Sequence, residues 1–427
     1  MRSTRSISNL VPRGMSRRHF MSHLAGSASL LAPATVLTRS VMAGQRQLRR
    51  NHKSCILLWM GGGPPTIDIF DMKPGAATGG TFKQISTAGE AQINELMPEL
   101  AKQMGRLSVV RSMSTREADH DRGRYYMHTG FVPNPSVTHP SYGSVVAHEL
   151  SPKLDGLEMP PFVSVGGPSE GPGFLGMGYA PFQVDANGRV RNLEMGVEQA
   201  RLADRMQLLS VMEKRFIRED RGAAAGEHAK VLNSALELMT SEQMRAFEVR
   251  SEPQSMQERY GNTSFGRGCL MARRLVQAGV PFVEVNLGGW DLHQNCFTQL
   301  QNKLPELDKA WSALVADLEE TGLLDDTVVL WMGEFGRTPR INGTSGRDHW
   351  ARSWSVVVGG GGIEGGRVIG STSADGTAVE TEPYSAEDLM ATVCKTLGIS
   401  LDTVHTAGNG RPMKIAGGGK VIEGLFA

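Results

Sequence analysis

Acidic and imidazole side chains lie directly after two predicted strands and in the loop that follows the second strand. Asp291 and His293 come after the apolar run PFVEVNLGGW, and Glu334 comes after DDTVVLWMG. Open α/β sheets bind ligands at the carboxyl ends of their parallel strands. Mixed carboxylate and imidazole donors suit Zn²⁺, Mn²⁺ or Fe. The pattern predicts a metal centre whose candidate ligands, including those in the loop GTSGRDHW, are Asp291, His293, Glu334, Asp348 and His349.

Each of these groups also has a structural interpretation. Asp291 can cap its loop through a hydrogen bond with His293. Glu334 can form a buried ion pair with Arg337, because an unpaired buried charge is costly. His349 can be a hydrogen-bonded loop histidine next to an aromatic side chain. The residues alone leave both the metal centre and the structural contacts open.

A second polar cluster lies in the run ADHDRGRYYMHTG. Within it, His120 can ligate a metal, act as a general base or form a covalent adduct, and it can equally mark a solvated helix start. Asp68, in the loop after the first strand, is a further candidate metal ligand and otherwise a turn residue. Basic side chains near these motifs would suit an anionic ester, and they are Arg111, Arg124, Arg337 and Arg347.

Strands and helices alternate along the chain. Apolar runs predict strands at 55–60, 106–110, 161–165, 281–287, 327–332 and 355–358. Helical spacing predicts helices at 94–104, 265–278, 304–323 and 385–397. This alternation predicts an α/β fold with a mostly parallel central sheet and helices on both faces. A segment of helical composition at about 190–250 is expected to form an insertion.

The composition is that of a globular protein with an export signal. The 427 residues are 40% hydrophobic and carry a net charge of +1, which gives no signal for nucleic-acid binding. Residues 1–43 contain SRRHFM and a small apolar run, which together predict export by the twin-arginine machinery and cleavage near Ala43. The apolar run is shorter than the roughly 20 residues of a membrane span, so we expect no stable anchor. The expected location is the periplasm or the cell surface.

Five segments together resemble a known family. They are ILLWMGGGPPTIDIFDMKP, RSMSTREADHDRGRYYMHTG, GWDLHQN, GEFGRTPRINGTSGRDHW and GNGRPMKIAGGGKVIEGLF. In this order they resemble the domain-of-unknown-function 1501 family (DUF1501), exported bacterial proteins placed near the sulfatases and alkaline phosphatases. The resemblance implies a single alkaline-phosphatase-like domain over residues 44–427. It also implies a divalent metal, Zn²⁺ or another such as Mn, Fe, Mg or Ca.

The resemblance to sulfatases can be followed residue by residue in one segment. Thr129-Gly130 follow Arg124 at the sulfatase spacing, which places His120 at the position of the nucleophile and Arg124 where it would clamp an anionic oxygen. The implied activity is hydrolysis of phosphate or sulfate esters of a small molecule or glycan. The first-strand acid of that superfamily falls near Gly62, and Asp68 could substitute for it. The alternative is a non-catalytic binding or scaffold protein of the cell envelope with the same fold.

Overall fold

The computed structural model describes residues 53–154, 156–189 and 241–427, with a few positions between 201 and 238. The predicted export signal (1–43) and most of the predicted helical insertion (about 190–250) lie outside the described residues. The described residues between 53 and 427 form one compact unit. Among the described residues, no helix combines the length and the apolar character needed to cross a bilayer.

Most of the strands are short, and the longer ones are almost entirely apolar and buried. In the described part of the chain they are, in order, β1 (Ser54–Trp59), β2 (Gln84–Ile85), β3 (Ile93–Asn94), β4 (Leu107–Met113), β5 (Phe162–Val165), β6 (Phe182–Val184), β7 (Phe282–Asn286), β8 (Thr327–Met332), β9 (Gly336–Arg337), β10 (His349–Trp350), β11 (Trp354–Gly359), β12 (Val368–Ile369), β13 (Val404–Thr406) and β14 (Pro412–Lys414).

Eight strands form the central sheet, in the order β12, β4, β11, β8, β1, β7, β5 and β6. All run in one direction except β11, which is antiparallel to both of its neighbours. Strand β1 lies between β7 and β8, with Leu58 opposite Val285 and Trp331. The carboxyl ends of these three strands therefore meet at one edge of the sheet, and the loops that follow them can share a site.

The helices cover the sheet and connect its strands. They are α1 (Pro98–Gln103), α2 (His120–Thr129), α3 (Tyr142–Leu150), α4 (Gln254–Tyr260), α5 (Ser264–Gln277), α6 (Cys296–Glu320) and α7 (Ala386–Thr396). Shorter 3₁₀ turns occur at Thr66–Asp68, Met104–Arg106, Ser151–Lys153, Gly173–Leu175, Met177–Tyr179, Glu242–Phe247, Val249–Ser251, Leu324–Asp326, Ile415–Gly418 and Glu423–Leu425.

Both faces of the sheet are buried, which explains why its strands are continuously apolar. On β1, Ile56 and Leu58 belong to a core with α1, α5 and α6. Leu57 and Trp59 point to the opposite face and belong to a core with α2, α3 and α7. Successive strand residues alternate between faces, so one strand supplies both cores. The predicted α/β class, with a mostly parallel central sheet and helices on both faces, is confirmed.

Helix α6 begins earlier than the sequence predicted. The prediction placed its start at residue 304, but the helix begins at Cys296 and contains Pro305. Proline removes one helix hydrogen bond, which normally ends or kinks a helix. Here Pro305 and Gln301 are both exposed, so water can bind the Gln301 carbonyl that Pro305 leaves without a donor. The extension carries the helix up to the loop that contains Asp291 and His293.

Helix α1 is capped by a side chain from a different helix. Its N-cap residue, Met97, provides no side-chain hydrogen bond. The Asp308 carboxylate of α6 accepts instead from the backbone N–H of Leu100 at 2.6 Å and of Glu99 at 3.2 Å. The first turn of a helix has N–H groups without partners in the helix itself, and Asp308 satisfies two of them. This contact fastens α1 to α6.

We expect Asp308→Ala to lower the free energy of unfolding by about 1–2 kcal/mol, because it leaves two amides of a helix start without an acceptor. Urea unfolding followed by circular dichroism measures the change. Glu306→Ala on the same helix is the matched control and should stay within roughly 0.5 kcal/mol of the wild type. Equal effects of the two substitutions would show that the cap does not contribute.

Candidate metal centre

A glycine in the loop after β1 allows the backbone to pack closely against the loops that follow β7 and β8. Gly62 has a φ of 115°, and a Cβ added there would lie 2.5 Å from the backbone nitrogen of Asp291. Only glycine permits this conformation and this approach. Its backbone N–H donates to Glu334 Oε1 at 2.8 Å. At this position the chain therefore holds an acidic side chain through its backbone.

His120 is the first residue of α2, and each of its ring nitrogens faces an acidic side chain. Its Nδ1 lies 2.7 Å from Glu334 Oε1, and this hydrogen bond raises the pKa of the imidazole despite partial burial. Its Nε2 lies 3.3 Å from Asp291 Oδ1. That Nε2 atom is nevertheless buried without a hydrogen bond to any described residue. The ring is thus fixed at Nδ1, and its other nitrogen has no hydrogen-bonding partner.

Two further imidazoles are fixed in the same way. His349 lies on β10, which pairs with β9, and its Nδ1 donates to the backbone oxygen of Ala118 at 2.7 Å. His293 donates from Nδ1 to Asp348 Oδ1 at 2.8 Å, and this hydrogen bond lowers the pKa of the Asp348 carboxyl. Since carbonyl and ionised carboxylate oxygens only accept, each Nδ1 must carry its hydrogen.

The three free ring nitrogens converge on one carboxylate oxygen. Asp291 Oδ1 lies 3.3 Å from Nε2 of His120, 3.3 Å from Nε2 of His349 and 2.9 Å from Nε2 of His293. The Nε2 atoms of His293 and His349 lie 3.1 Å apart. Neutral rings protonated at Nδ1 would direct two lone pairs at each other across this distance. A shared cation would remove that repulsion.

This donor set fits a divalent metal. His120, Asp291 and His349 each offer one ligand atom, and these atoms lie within 4.8 Å of one another. Zn²⁺ is commonly bound by imidazole nitrogens and a carboxylate. Metal-bound histidines usually donate their other ring N–H to a carboxylate or a backbone carbonyl. Glu334, Asp348 and the Ala118 carbonyl provide those acceptors.

The buried guanidinium of Arg337 joins the loops that carry these residues. It donates to Asp291 Oδ1 at 2.5 Å, to the Gly63 oxygen at 2.7 Å and to the Arg347 oxygen at 3.1 Å, and it also binds the Gly62 oxygen. Partial burial raises the pKa of Asp291, but the hydrogen bond and charge of Arg337 outweigh it. The pKa falls to about 2. Asp291 is therefore an anion at neutral pH.

The structure brings six of the eight predicted site residues into one network of direct contacts. They are His120, Asp291, His293, Glu334, Asp348 and His349. Glu334 and Asp348 bind the Nδ1 side of an imidazole, away from the point where the Nε2 atoms converge.

Two predicted site residues are engaged elsewhere. Asp68 is buried and accepts two hydrogen bonds from Arg347, at 2.6 and 2.7 Å, so its carboxylate is occupied by a guanidinium. Arg124 pairs with Glu170 at 3.0 Å and donates to the Pro168 oxygen at 2.6 Å. These partners are remote in sequence, so local motifs could not indicate them. The proposed centre therefore includes neither Asp68 as a metal ligand nor Arg124 as an anion clamp.

Sequence reasoning missed one residue of the site, Phe335. Its ring is fully buried, and its centroid lies 5.1 Å from that of His120 and 4.8 Å from that of His349. It therefore forms an apolar wall beside both imidazoles. Its position directly after Glu334, in the run GEFGR, is the available sequence signal.

No hydroxyl of a described residue contacts a ring nitrogen or carboxylate oxygen of the centre. Two of the hydroxyls that sequence alone would consider as nucleophiles are engaged elsewhere. Thr66 Oγ1 accepts from the backbone N–H of Ser355 at 3.2 Å, and Thr115 Oγ1 accepts from that of Glu117 at 3.1 Å. The centre therefore contains imidazoles and carboxylates without an adjacent alcohol.

The model of the DUF1501 family, described as a protein of unknown function, matches residues 52–426. No curated protein sequence matches the chain. Similar solved structures include a sulfatase from Pseudoalteromonas sp., at 13% identity and a TM-score of 0.37, covering 84% of this chain and 71% of that one. A protein in the alkaline phosphatase superfamily from Vibrio parahaemolyticus has 13% identity and a TM-score of 0.39, covering 87% and 69%. A mutant of TAB5 alkaline phosphatase with bound Mg has 12% identity and a TM-score of 0.37, covering 82% and 99%.

We expect Arg337→Lys to lower the free energy of unfolding by about 3 kcal/mol, because one ammonium cannot replace a planar group that binds four oxygens in three loops. Chemical denaturation measures this. Arg124→Lys, at a partly exposed ion pair, is the control and should change stability by less than about 1 kcal/mol. If the two substitutions cost the same, the guanidinium of Arg337 does not hold the loops together.

Proposed function

Since this chain belongs to the DUF1501 family, we propose its function from its own residues: a metal-dependent hydrolase of phosphate or sulfate esters. The observation that carries the proposal is the convergence of three Nδ1-anchored imidazoles on Asp291. His120, Asp291 and His349 are the proposed ligands, with His293 as a fourth donor. A divalent cation bound there, Zn²⁺ above all, would polarise an ester oxygen and make water more acidic.

The surrounding residues have orienting roles in this proposal. Glu334, Asp348 and the Ala118 carbonyl fix which nitrogen of each imidazole faces the centre. Arg337 keeps Asp291 ionised and in place. The Phe335 ring excludes water from one side, which strengthens electrostatic interactions within the centre. The His293 side chain is 40% exposed, compared with 35% for His120 and 26% for His349, so it is the donor most accessible to solvent.

The contacts favour direct attack by water over a covalent enzyme intermediate on an alcohol. No hydroxyl of the described residues hydrogen-bonds to a ring nitrogen or carboxylate oxygen of the centre, so none is in position to form such an intermediate. The four arginines predicted near the site are also engaged, since Arg111 donates to the Phe70 oxygen at 3.0 Å and the others bind as described above. The positive charge that attracts an anionic small-molecule or glycan ester would then come mainly from the cation.

The lack of a hydroxyl at the centre and the engagement of the four arginines also support the second candidate, a non-catalytic binding or scaffold protein of the cell envelope. A site that holds a metal and an anion, but in which the described residues offer neither a hydroxyl nucleophile nor an arginine open to the ligand, could bind without reacting. In that case the centre would bind an anionic glycan through the metal, and the ester would remain intact. The two candidates differ only in turnover.

We expect purified wild-type protein to bind zinc and to hydrolyse at least one member of a panel of aryl phosphates, phosphodiesters and aryl sulfates. His349→Ala removes a ligand, so it should abolish turnover and the zinc bound at this centre. Glu334→Ala leaves the His120 ring without its Nδ1 anchor and should weaken metal affinity by about 10- to 100-fold. Chelator competition measures affinity, and release of the aryl group measures turnover.

Asp121→Asn is the matched control, because Asp121 is exposed and lies next to His120 on α2. It should leave both readouts unchanged. Absence of zinc and of every other divalent metal from wild-type protein, before and after titration, would refute the metal centre. Stoichiometric metal with no turnover and with retained glycan binding would support the binding protein over the hydrolase.

We also propose that the protein is exported by the twin-arginine machinery, from the motif SRRHFM near its start. Replacing Arg17 and Arg18 together with Lys should remove the protein from the periplasmic fraction of a host that contains this machinery. Immunoblots of the fractions measure the distribution. Replacing Arg13 with Lys is the control and should leave export intact. Unchanged export of the double variant would refute the proposed route.

A further inference from the structure

A second group of metal-ligating side chains lies away from the proposed centre and shares no residue with it. His148 and Glu149 are near the end of α3, and His405 lies in β13 of the hairpin β13–β14. Each offers one ligand atom, and the three atoms lie within 4.8 Å of one another. Residues from a helix and from a distant hairpin therefore meet as two imidazoles and one carboxylate.

The three side chains of this cluster point toward one another. Glu149 Oε1 lies 2.8 Å from Nδ1 of His148 and 3.3 Å from Nε2 of His405. Consecutive residues of a helix do not normally face each other, yet the His148 and Glu149 side chains turn toward one point. The ring centroids of His148 and His405 lie 4.8 Å apart at 87°. The three side chains thus surround a common centre instead of stacking.

One nitrogen of the cluster lacks a hydrogen-bonding partner. The His405 side chain is 12% exposed. Its Nε2 atom is buried and makes no hydrogen bond with a described residue, although it is close to Glu149. Buried polar atoms nearly always have partners. In the described part of the chain Glu149 pairs with these two histidines and with no lysine or arginine, so no fixed cation neutralises it.

Aromatic side chains lie beside both imidazoles of the cluster. The ring centroid of Tyr179 lies 4.8 Å from that of His148, and that of Phe174 lies 6.5 Å from that of His405. These rings limit access of water to the cluster.

We propose that His148, Glu149 and His405 form a second binding site for a divalent transition metal of the Zn²⁺ type. Two imidazoles and a glutamate match the three protein ligands of zinc sites whose fourth position is open to water or substrate. The ion would join the end of α3 to the C-terminal hairpin, and it would satisfy His405 Nε2 and Glu149 together. The proposal does not depend on the function assigned to the first centre.

The test uses His349→Ala protein, in which the first centre lacks a ligand. This protein should still bind one zinc ion per chain, and zinc should raise its melting temperature, because an ion that binds only the folded state stabilises it. Adding His405→Gln, which keeps a polar side chain of similar length, should remove both effects. Adding Glu382→Gln, at an exposed carboxylate, should remove neither.

If the three residues form only a structural hydrogen-bonded triad, His405→Gln should change the melting temperature by the same amount with and without zinc. Measuring the melting temperature in both conditions therefore separates the structural role from metal binding. If the His405→Gln chain does not fold, anomalous scattering from zinc-soaked crystals of His349→Ala protein replaces it. A peak between His148 and His405 is expected. Absence of that peak, or zinc binding that His405→Gln leaves unaltered, would overturn the proposal.

Discussion

The loops that carry the candidate centre are joined by one buried cation, Arg337. Its guanidinium binds backbone oxygens in the loop after β1, a side chain after β7 and a backbone oxygen beside His349. A buried guanidinium must have its N–H groups satisfied, because leaving them unpaired is costly. This requirement brings three strand ends to fixed distances. The short loops that follow the strands could not specify those distances by themselves.

The three imidazoles are held with different rigidity. His120 is anchored by Glu334, whose side chain is 4% exposed, whereas His293 is anchored by Asp348, which is 54% exposed. His349 is anchored by a backbone carbonyl and by the pairing of β10 with β9. One ring is therefore anchored by a buried carboxylate, one by a backbone carbonyl and strand pairing, and one by an exposed carboxylate. A site of this kind can keep its ligand geometry while one of its members moves.

Sequence predicted the strands and the residues at their ends, because buried parallel strands have an unmistakable apolar pattern. It also predicted that His120 would approach residues more than 150 positions later. It could not predict that Asp68 binds Arg347 or that Arg124 binds Glu170, since these pairs depend on how distant loops pack. The His148, Glu149 and His405 cluster was missed for the same reason. The start of α6 was predicted at residue 304, whereas the helix begins at Cys296 and continues through Pro305.

The reversed direction of β11 determines where this chain can accept extra residues. His349 lies at the edge where β8 ends, and β11 returns from that edge into the sheet without a crossover. Both ends of the segment between β9 and β10 are consequently fixed, one by Arg337 and the other by β11. The tip of this segment, at Gly343, Thr344 and Ser345, is exposed. Insertions of different length at that tip could reshape the entrance to the centre while leaving His349 where it is.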